Sequence, residues 1–194
     1  MRSRPSGRPN ASGRATAPAG NRAVLTLLAV LAILAAPRAA TAQSDIGLDL
    51  GATPEPVTIE DLDGEPFDLG RVVGQRPVLI EFWATWCPVC EELHPDLVET
   101  HEWYGDRVEF IQIAVGVNQS PRSIRRHLEE HPSPARVLWD GRGRATRAFQ
   151  VPTTSYIVVL DADGRVVYTG AGAHQDLEAA VRTALDDGLD DGER

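Results

Sequence analysis

The two cysteines are the residues with the clearest chemistry in this sequence of 194 residues. Cys87 and Cys90 are separated by two residues, so a disulfide between them would close a loop of only four. The chain-entropy model gives such a loop about 2 kcal/mol, against about 3 kcal/mol for a 15-residue loop, so the pair is a poor structural staple. A zinc finger is also disfavoured, because His94 and His101 do not follow at a standard finger spacing. The spacing favours a redox-active dithiol.

The residues on either side predict where this pair lies. Residues 78–83 form a short, nearly continuous apolar run, which is typical of a strand buried on both faces. The apolar residues after the first cysteine fall on roughly one face of a helix: Val89, Leu93, Leu97 and Tyr104. The cysteines therefore lie at a strand-to-helix turn, with Cys87 at the helix N-terminus, where the dipole and free N–H groups stabilise a thiolate.

The rest of the chain continues an alternation of strands and helices. Strands are predicted at residues 57–59, 66–68, 108–117, 136–138, 155–160 and 165–169, and helices at residues 121–130, 142–149 and 176–187. This order predicts an α/β fold in one domain, residues 43–187. Residues 188–194 are predicted to be an acidic disordered tail.

The N-terminal segment has the three parts of a secretory signal. A basic region spans residues 1–22, an apolar run of 14 residues spans 23–36, and Ala40-Thr41-Ala42 follows as a small-residue cleavage site. Residues 1–42 are therefore predicted to be a signal peptide that is cleaved before Gln43. An uncleaved membrane anchor is the alternative, although a membrane span needs about 20 apolar residues. The predicted location is periplasmic or otherwise extracytoplasmic, where disulfides persist.

The charge distribution excludes two classes of function. Residues 45–194 contain 13 arginines against all 28 acidic residues of the chain, and an acidic domain is unsuited to binding nucleic acid. All 19 basic residues are arginine, so Schiff-base and lysine-nucleophile chemistry are excluded.

The motif around the cysteines resembles the thioredoxin superfamily. It reads FWATWCPVC over residues 82–90, Pro95 follows inside the helix, and Val-Pro-Thr at 151–153 precedes a strand. Within the superfamily, the chain is most similar to the exported branch of TlpA, ResA and DsbE type, over about residues 47–187. The resemblance implies a thioredoxin-like fold with a central mixed β-sheet flanked by helices, an N-terminal β extension, and a central insertion around residues 118–140.

The resemblance also implies a role for each cysteine. Cys87, at the exposed start of the helix, would be the attacking thiolate. Cys90, one turn further and more buried, would resolve the mixed disulfide.

Four further residues are expected to bind the client protein. The resemblance implies that Pro152 is a cis proline beside the cysteines and that Val151 offers backbone groups to a client strand. Trp86 and Pro88, next to the cysteines in sequence, are expected to shape the same binding surface.

Glu81 is the candidate for proton transfer. It interrupts the apolar strand, and a buried carboxylate has a raised pKa. The matching thioredoxin position carries a buried acid that relays the proton of the second cysteine, which implies the same role here. The alternative is a glutamate at a strand end that reaches solvent or pairs with an arginine.

The predicted function is an exported thiol–disulfide oxidoreductase. The resemblance implies a monomeric reductant of envelope protein disulfides, for example in cytochrome c maturation, with a membrane thiol reductase as electron donor and no cofactor or metal. A disulfide-introducing oxidase is one alternative. A copper-handling protein that adds His174 to the two thiolates is another, although such proteins on this fold more often space their cysteines as C-x3-C. A thiol peroxidase is excluded, because Ile80 and Ala84 stand where its motif needs Pro and Thr.

Overall fold

The strand Val78–Trp83 lies at the centre of the structure, and all six of its residues are buried. The computed structural model describes residues 47–190, with side chains up to residue 186. The predicted signal peptide, residues 1–42, and residues 191–194 of the predicted tail lie outside the described residues.

Strands and helices alternate along the described part of the chain, as the sequence predicts. In chain order they are β1 (Thr58–Asp61), β2 (Pro66–Asp68), β3 (Val78–Trp83), α1 (Pro88–Tyr104), β4 (Glu109–Val115), α2 (Pro121–Glu130), β5 (Arg136–Asp140), α3 (Arg144–Ala148), β6 (Tyr156–Leu160), β7 (Val166–Ala171) and α4 (Leu177–Asp190).

The strands form one mixed sheet in the order β2-β1-β5-β4-β3-β6-β7. The pairs β3–β4 and β4–β5 are parallel, and the remaining pairs are antiparallel. The hairpin β1–β2 is the expected N-terminal β extension at one edge, and the expected insertion contributes α2 and β5. The predicted thioredoxin-like fold is confirmed.

Alternating residues of β3 pack against different helices, because successive side chains of a strand point to opposite faces of the sheet. Leu79 belongs to a buried cluster with Leu93 of α1 and Leu177 of α4. Ile80 belongs to a second cluster with Ile124 of α2. Helices therefore cover both faces, and β3 delivers the cysteine turn from the middle of the sheet.

Several predicted boundaries differ from the structure by one to three residues. β4 ends at Val115 rather than at Val117, because the chain turns at Gly116, where the N–H of Val117 donates a 2.9 Å hydrogen bond to the carbonyl oxygen of Val115. A Cβ on Gly116 would lie 2.8 Å from the carbonyl oxygens of Asp140 and Gly141, so this turn requires glycine. Helix α4 continues to Asp190, so the first residues of the predicted tail are helical. No helix in the described part of the chain is long and apolar enough to cross a membrane.

Candidate active site

The cysteine pair lies where β3 gives way to α1. Cys87 is the N-cap residue of α1, and its Sγ accepts a hydrogen bond of 3.2 Å from the backbone N–H of Cys90. The two cysteines are joined by a disulfide, with their Cα atoms 5.3 Å apart. The sulfur of Cys87 thus occupies the position where helix N–H groups stabilise negative charge, as the sequence predicts.

The expected difference in burial between the two cysteines is wrong. Cys87 is 4% exposed and Cys90 5% exposed, because both belong to the same buried cluster when the disulfide is closed. The predicted helix face is also shifted by one residue. Val89 is 38% exposed, and Cys90 takes its place on the buried side of α1, three residues before Leu93.

Trp86 is held at the surface beside the cysteines. Its indole is 47% exposed, and Nε1 donates a 2.8 Å hydrogen bond to the carbonyl oxygen of Val117. Val117 and Val89 are also exposed, and so is Pro88. These four residues form an apolar surface around the disulfide, which we call the apolar rim.

The loop that carries Val151 and Pro152 is tied to the cysteine helix. It is bounded by Gln150 and Ser155, both with positive φ, at 49° and 53°. The Ser155 hydroxyl is within hydrogen-bond distance of two carbonyl oxygens, that of Val89 at 3.4 Å and that of Gly172 at 3.1 Å.

The two residues predicted to bind the client differ in burial. Val151 is half-buried and packs against the cluster that contains both cysteines, whereas Pro152 is exposed. The structure therefore brings together the two segments that the sequence predicts, although they lie some 60 residues apart.

Glu81 is only 1% exposed, which confirms its predicted removal from water and rules out the solvent-reaching alternative. Gln112, its partner on β4, donates a 2.7 Å hydrogen bond from Nε2 to Oε2 of Glu81. Burial raises the pKa of Glu81 to about 7, and the hydrogen bond from Gln112 opposes part of that rise. The carboxyl group can therefore gain or lose a proton near neutral pH.

Glu81 and Cys90 line the same narrow cleft, together with Trp83 and Gln112. The cleft has a volume of about 40 Å³, and a single water molecule needs about 10–15 Å³. Two buried polar atoms of its lining residues, Trp83 Nε1 and Gln112 Oε1, have no hydrogen-bond partner among the described residues. A cleft of this size and polarity suits an ordered water molecule.

Sequence reasoning missed the histidines that line this cleft with Glu91: His94, His127 and His131. The ring of His127 packs on Trp83 with centroids 5.4 Å apart, so this histidine is partly buried. The i, i+4 spacing of His127 and His131 was the available signal. His174, the histidine expected near the cysteines, is exposed and does not line the cleft.

Known proteins share both the sequence pattern and the fold. A family model described as Redoxin matches residues 42–185. The thiol-disulfide oxidoreductase ResA of Halalkalibacterium halodurans is 26% identical over 123 residues, covering 62% of this chain and 68% of ResA.

Two solved structures have a similar fold. A thiol:disulfide interchange protein of the thioredoxin family from Chlorobium tepidum superposes with a TM-score of 0.59 at 24% identity, covering 71% of this chain and 98% of that one. A secreted Mycobacterium tuberculosis disulfide oxidoreductase homologous to E. coli DsbE has a TM-score of 0.56 at 26% identity, covering 66% and 95%.

Proposed function

The chain belongs to the Redoxin family, and we propose that it is an exported reductant of disulfides in client proteins. It is a thioredoxin-superfamily protein of the TlpA, ResA and DsbE type, and its activity is that of a thiol–disulfide oxidoreductase. The direction of electron flow, the export and the client are the parts proposed here.

The observation that carries the proposal is the Cys87–Cys90 disulfide at the N-cap of α1. In the reduced protein, the Cys87 thiolate attacks a client disulfide, forms a mixed disulfide and releases one client thiolate. Cys90 then attacks the Cys87 sulfur and releases the second client thiolate. The client disulfide gains two electrons, and the two protein thiols become the disulfide seen in the structure.

Glu81 is proposed to manage the proton of Cys90. A thiol must lose its proton to attack, and a carboxylate with a pKa of about 7 is a suitable acceptor at neutral pH. The shared cleft provides the route, directly or through water.

The apolar rim and the adjacent loop are proposed to hold the client. Trp86 and Pro88 would contact apolar side chains of the client, because both are exposed beside the disulfide. Val151 and Pro152 would align an extended client segment through backbone groups. Backbone hydrogen bonds of this kind hold an extended client segment and tolerate different side chains in it.

The reducing direction rests on the resemblance to the TlpA, ResA and DsbE branch. The proposed clients are envelope proteins, including apocytochrome c, and the proposed electron donor is a membrane thiol reductase. The protein is proposed to act as a monomer.

Equilibration of the protein with a thiol–disulfide buffer tests the direction of electron flow. A reductase should have a potential near that of thioredoxin, about −270 mV, whereas a potential near that of DsbA, about −120 mV, would overturn the proposal in favour of an oxidase. The double variant Cys87→Ser/Cys90→Ser is the control, since it can exchange no disulfide.

Export is tested separately. Intact-mass measurement on protein recovered from the cell envelope should give a chain that begins at Gln43. A full-length chain in the membrane fraction would show an uncleaved anchor, and a cytoplasmic chain would overturn export.

A further inference from the structure

Three side chains with metal-binding atoms converge at the cleft. Glu91 lies in the first turn of α1, His127 in the last turn of α2, and His131 directly after α2. One ligand atom of each lies within 4.8 Å of the other two. They contribute two imidazole nitrogens and one carboxylate oxygen from two separate helices.

We propose that Glu91, His127 and His131 form a binding site for a divalent transition-metal ion of the zinc type. Two histidines and one glutamate are a ligand set that zinc accepts in proteins, with the fourth position left for water or another ligand. Imidazole favours zinc, copper, nickel and similar ions over magnesium and calcium, which prefer oxygen ligands.

The local structure prearranges the two histidines. They are four residues apart at the end of a helix, a spacing that puts both side chains on one face. Their rings stack with centroids 4.6 Å apart and an interplanar angle of 22°, and one nitrogen of each ring lies within 4.8 Å of the other. Trp83 packs against His127 on the strand side and limits its rotation.

One further contact supports the arrangement. His94 of α1 contacts the carbonyl oxygen of Pro132 at 3.1 Å through Nε2, which ties the chain after His131 to the helix that carries Glu91.

Small movements would complete the geometry. Metal–ligand bonds of about 2.0–2.1 Å in a tetrahedral site place ligand atoms about 3.3 Å apart. Glu91 and His131 are both exposed, so rotation of their side chains can bring the ligand atoms closer by the ångström or so that is needed.

Zinc binding by the oxidised protein tests the site, because the cysteines of an intact disulfide are not available as thiolate ligands. Zn²⁺ is titrated by calorimetry and, separately, against a chromogenic chelator. We expect one ion per chain, and a loss of affinity of at least about tenfold in each of His131→Ala, His127→Ala and Glu91→Gln, since even partners outside the ligand shell are worth 10–100-fold. His174→Ala is the matched control and should bind as tightly as the wild type.

Cobalt provides a second measurement. Co²⁺ in the oxidised wild type should give the visible absorption bands of a four-coordinate site, and His131→Ala should remove them. Since Glu91 and His131 are exposed, their variants should retain the wild-type circular dichroism, so that loss of binding is not loss of fold. The proposal is overturned if the oxidised wild type binds no Zn²⁺ below millimolar concentration, or if binding survives in both Glu91→Gln and His131→Ala.

Discussion

Gln112 and Glu81 face each other across the parallel strands β3 and β4, with Nε2 of Gln112 2.7 Å from Oε2 of Glu81. The pair is buried inside a sheet whose neighbouring residues are apolar, Ile80 and Phe82 on one strand and Ile111 and Ile113 on the other. Among the residues that the structure describes, the carboxyl group therefore has a hydrogen-bond donor but no positive charge to offset its burial. This arrangement raises the pKa of Glu81 to about 7 and makes the fold sensitive to pH.

We expect stability to fall as the pH rises from about 4.5 to about 7. In the folded protein, the Glu81 pKa is raised from 4.5 to about 7, so the folded state holds its proton more tightly than the unfolded chain. The resulting loss of folding free energy is absent below pH 4.5. It grows as Glu81 of the unfolded chain ionises, and it is complete above pH 7. Such a rise corresponds to about 3 kcal/mol. Glu81→Gln should remove it, so the variant should be more stable than the wild type at pH 8 and close to it at pH 4.5.

Urea unfolding of the oxidised proteins at several pH values measures this difference. Glu92→Gln is the matched control, because Glu92 is an exposed glutamate on α1 and its change should leave the pH profile as it is in the wild type. Parallel pH profiles for wild type and Glu81→Gln would contradict the argument.

Removing the hydrogen-bond donor Gln112 should raise the pKa of Glu81. The hydrogen bond from Gln112 favours the ionised carboxylate, so the nearly isosteric Gln112→Met should raise the pKa of Glu81 above about 7. The carboxyl ¹³C shift of Glu81, followed by NMR against pH, reports this pKa directly. A midpoint that stays in place or moves down would show that Gln112 does not stabilise the charge.

The burial of Glu81 could be predicted from the sequence, whereas its hydrogen-bond partner Gln112 could not. One acid inside an apolar run predicts a buried carboxylate from local pattern alone. Its partner depends on the register of β3 against β4, which is set by the packing of the whole sheet. The grouping of Glu91 with His127 and His131 has the same origin, because it needs α1 and α2 to meet.

The strands, helices and cysteine turn were predictable because their signals are local, whereas burial at the site was not. Val89 fits the apolar pattern of α1, but the helix begins at Pro88 and turns Cys90 inward instead. The similar burial of Cys87 and Cys90 follows from the closed disulfide, which no sequence pattern describes.

Ser155 should matter for stability through its side chain and through its backbone. Its hydroxyl is near the carbonyl oxygens of Val89 and Gly172, and its φ is 53°. Ser155→Ala loses the hydrogen bond and keeps the unfavourable backbone conformation, so we expect about 1–2 kcal/mol of destabilisation. Ser155→Gly also loses the hydrogen bond, but glycine adopts a positive φ without steric cost, so it should be about 1 kcal/mol more stable than Ser155→Ala. Urea unfolding ranks the two variants, and a glycine variant no more stable than the alanine variant would refute the backbone contribution.

The roles of the two cysteines should follow helix position and not exposure, since the two residues are 4% and 5% exposed. Cys87 Sγ accepts a hydrogen bond from the backbone N–H of Cys90 at the N-cap of α1. This contact stabilises the Cys87 thiolate when the disulfide is reduced. Cys87 should therefore be the thiol that iodoacetamide alkylates first at pH 7, and Cys87→Ser should abolish insulin reduction. Cys90→Ser should still attack clients and accumulate mixed disulfides, visible by non-reducing electrophoresis and mass spectrometry. Faster alkylation of Cys90, or mixed disulfides formed by Cys87→Ser instead, would reverse the assignment and show that the N-cap contact does not select the nucleophile.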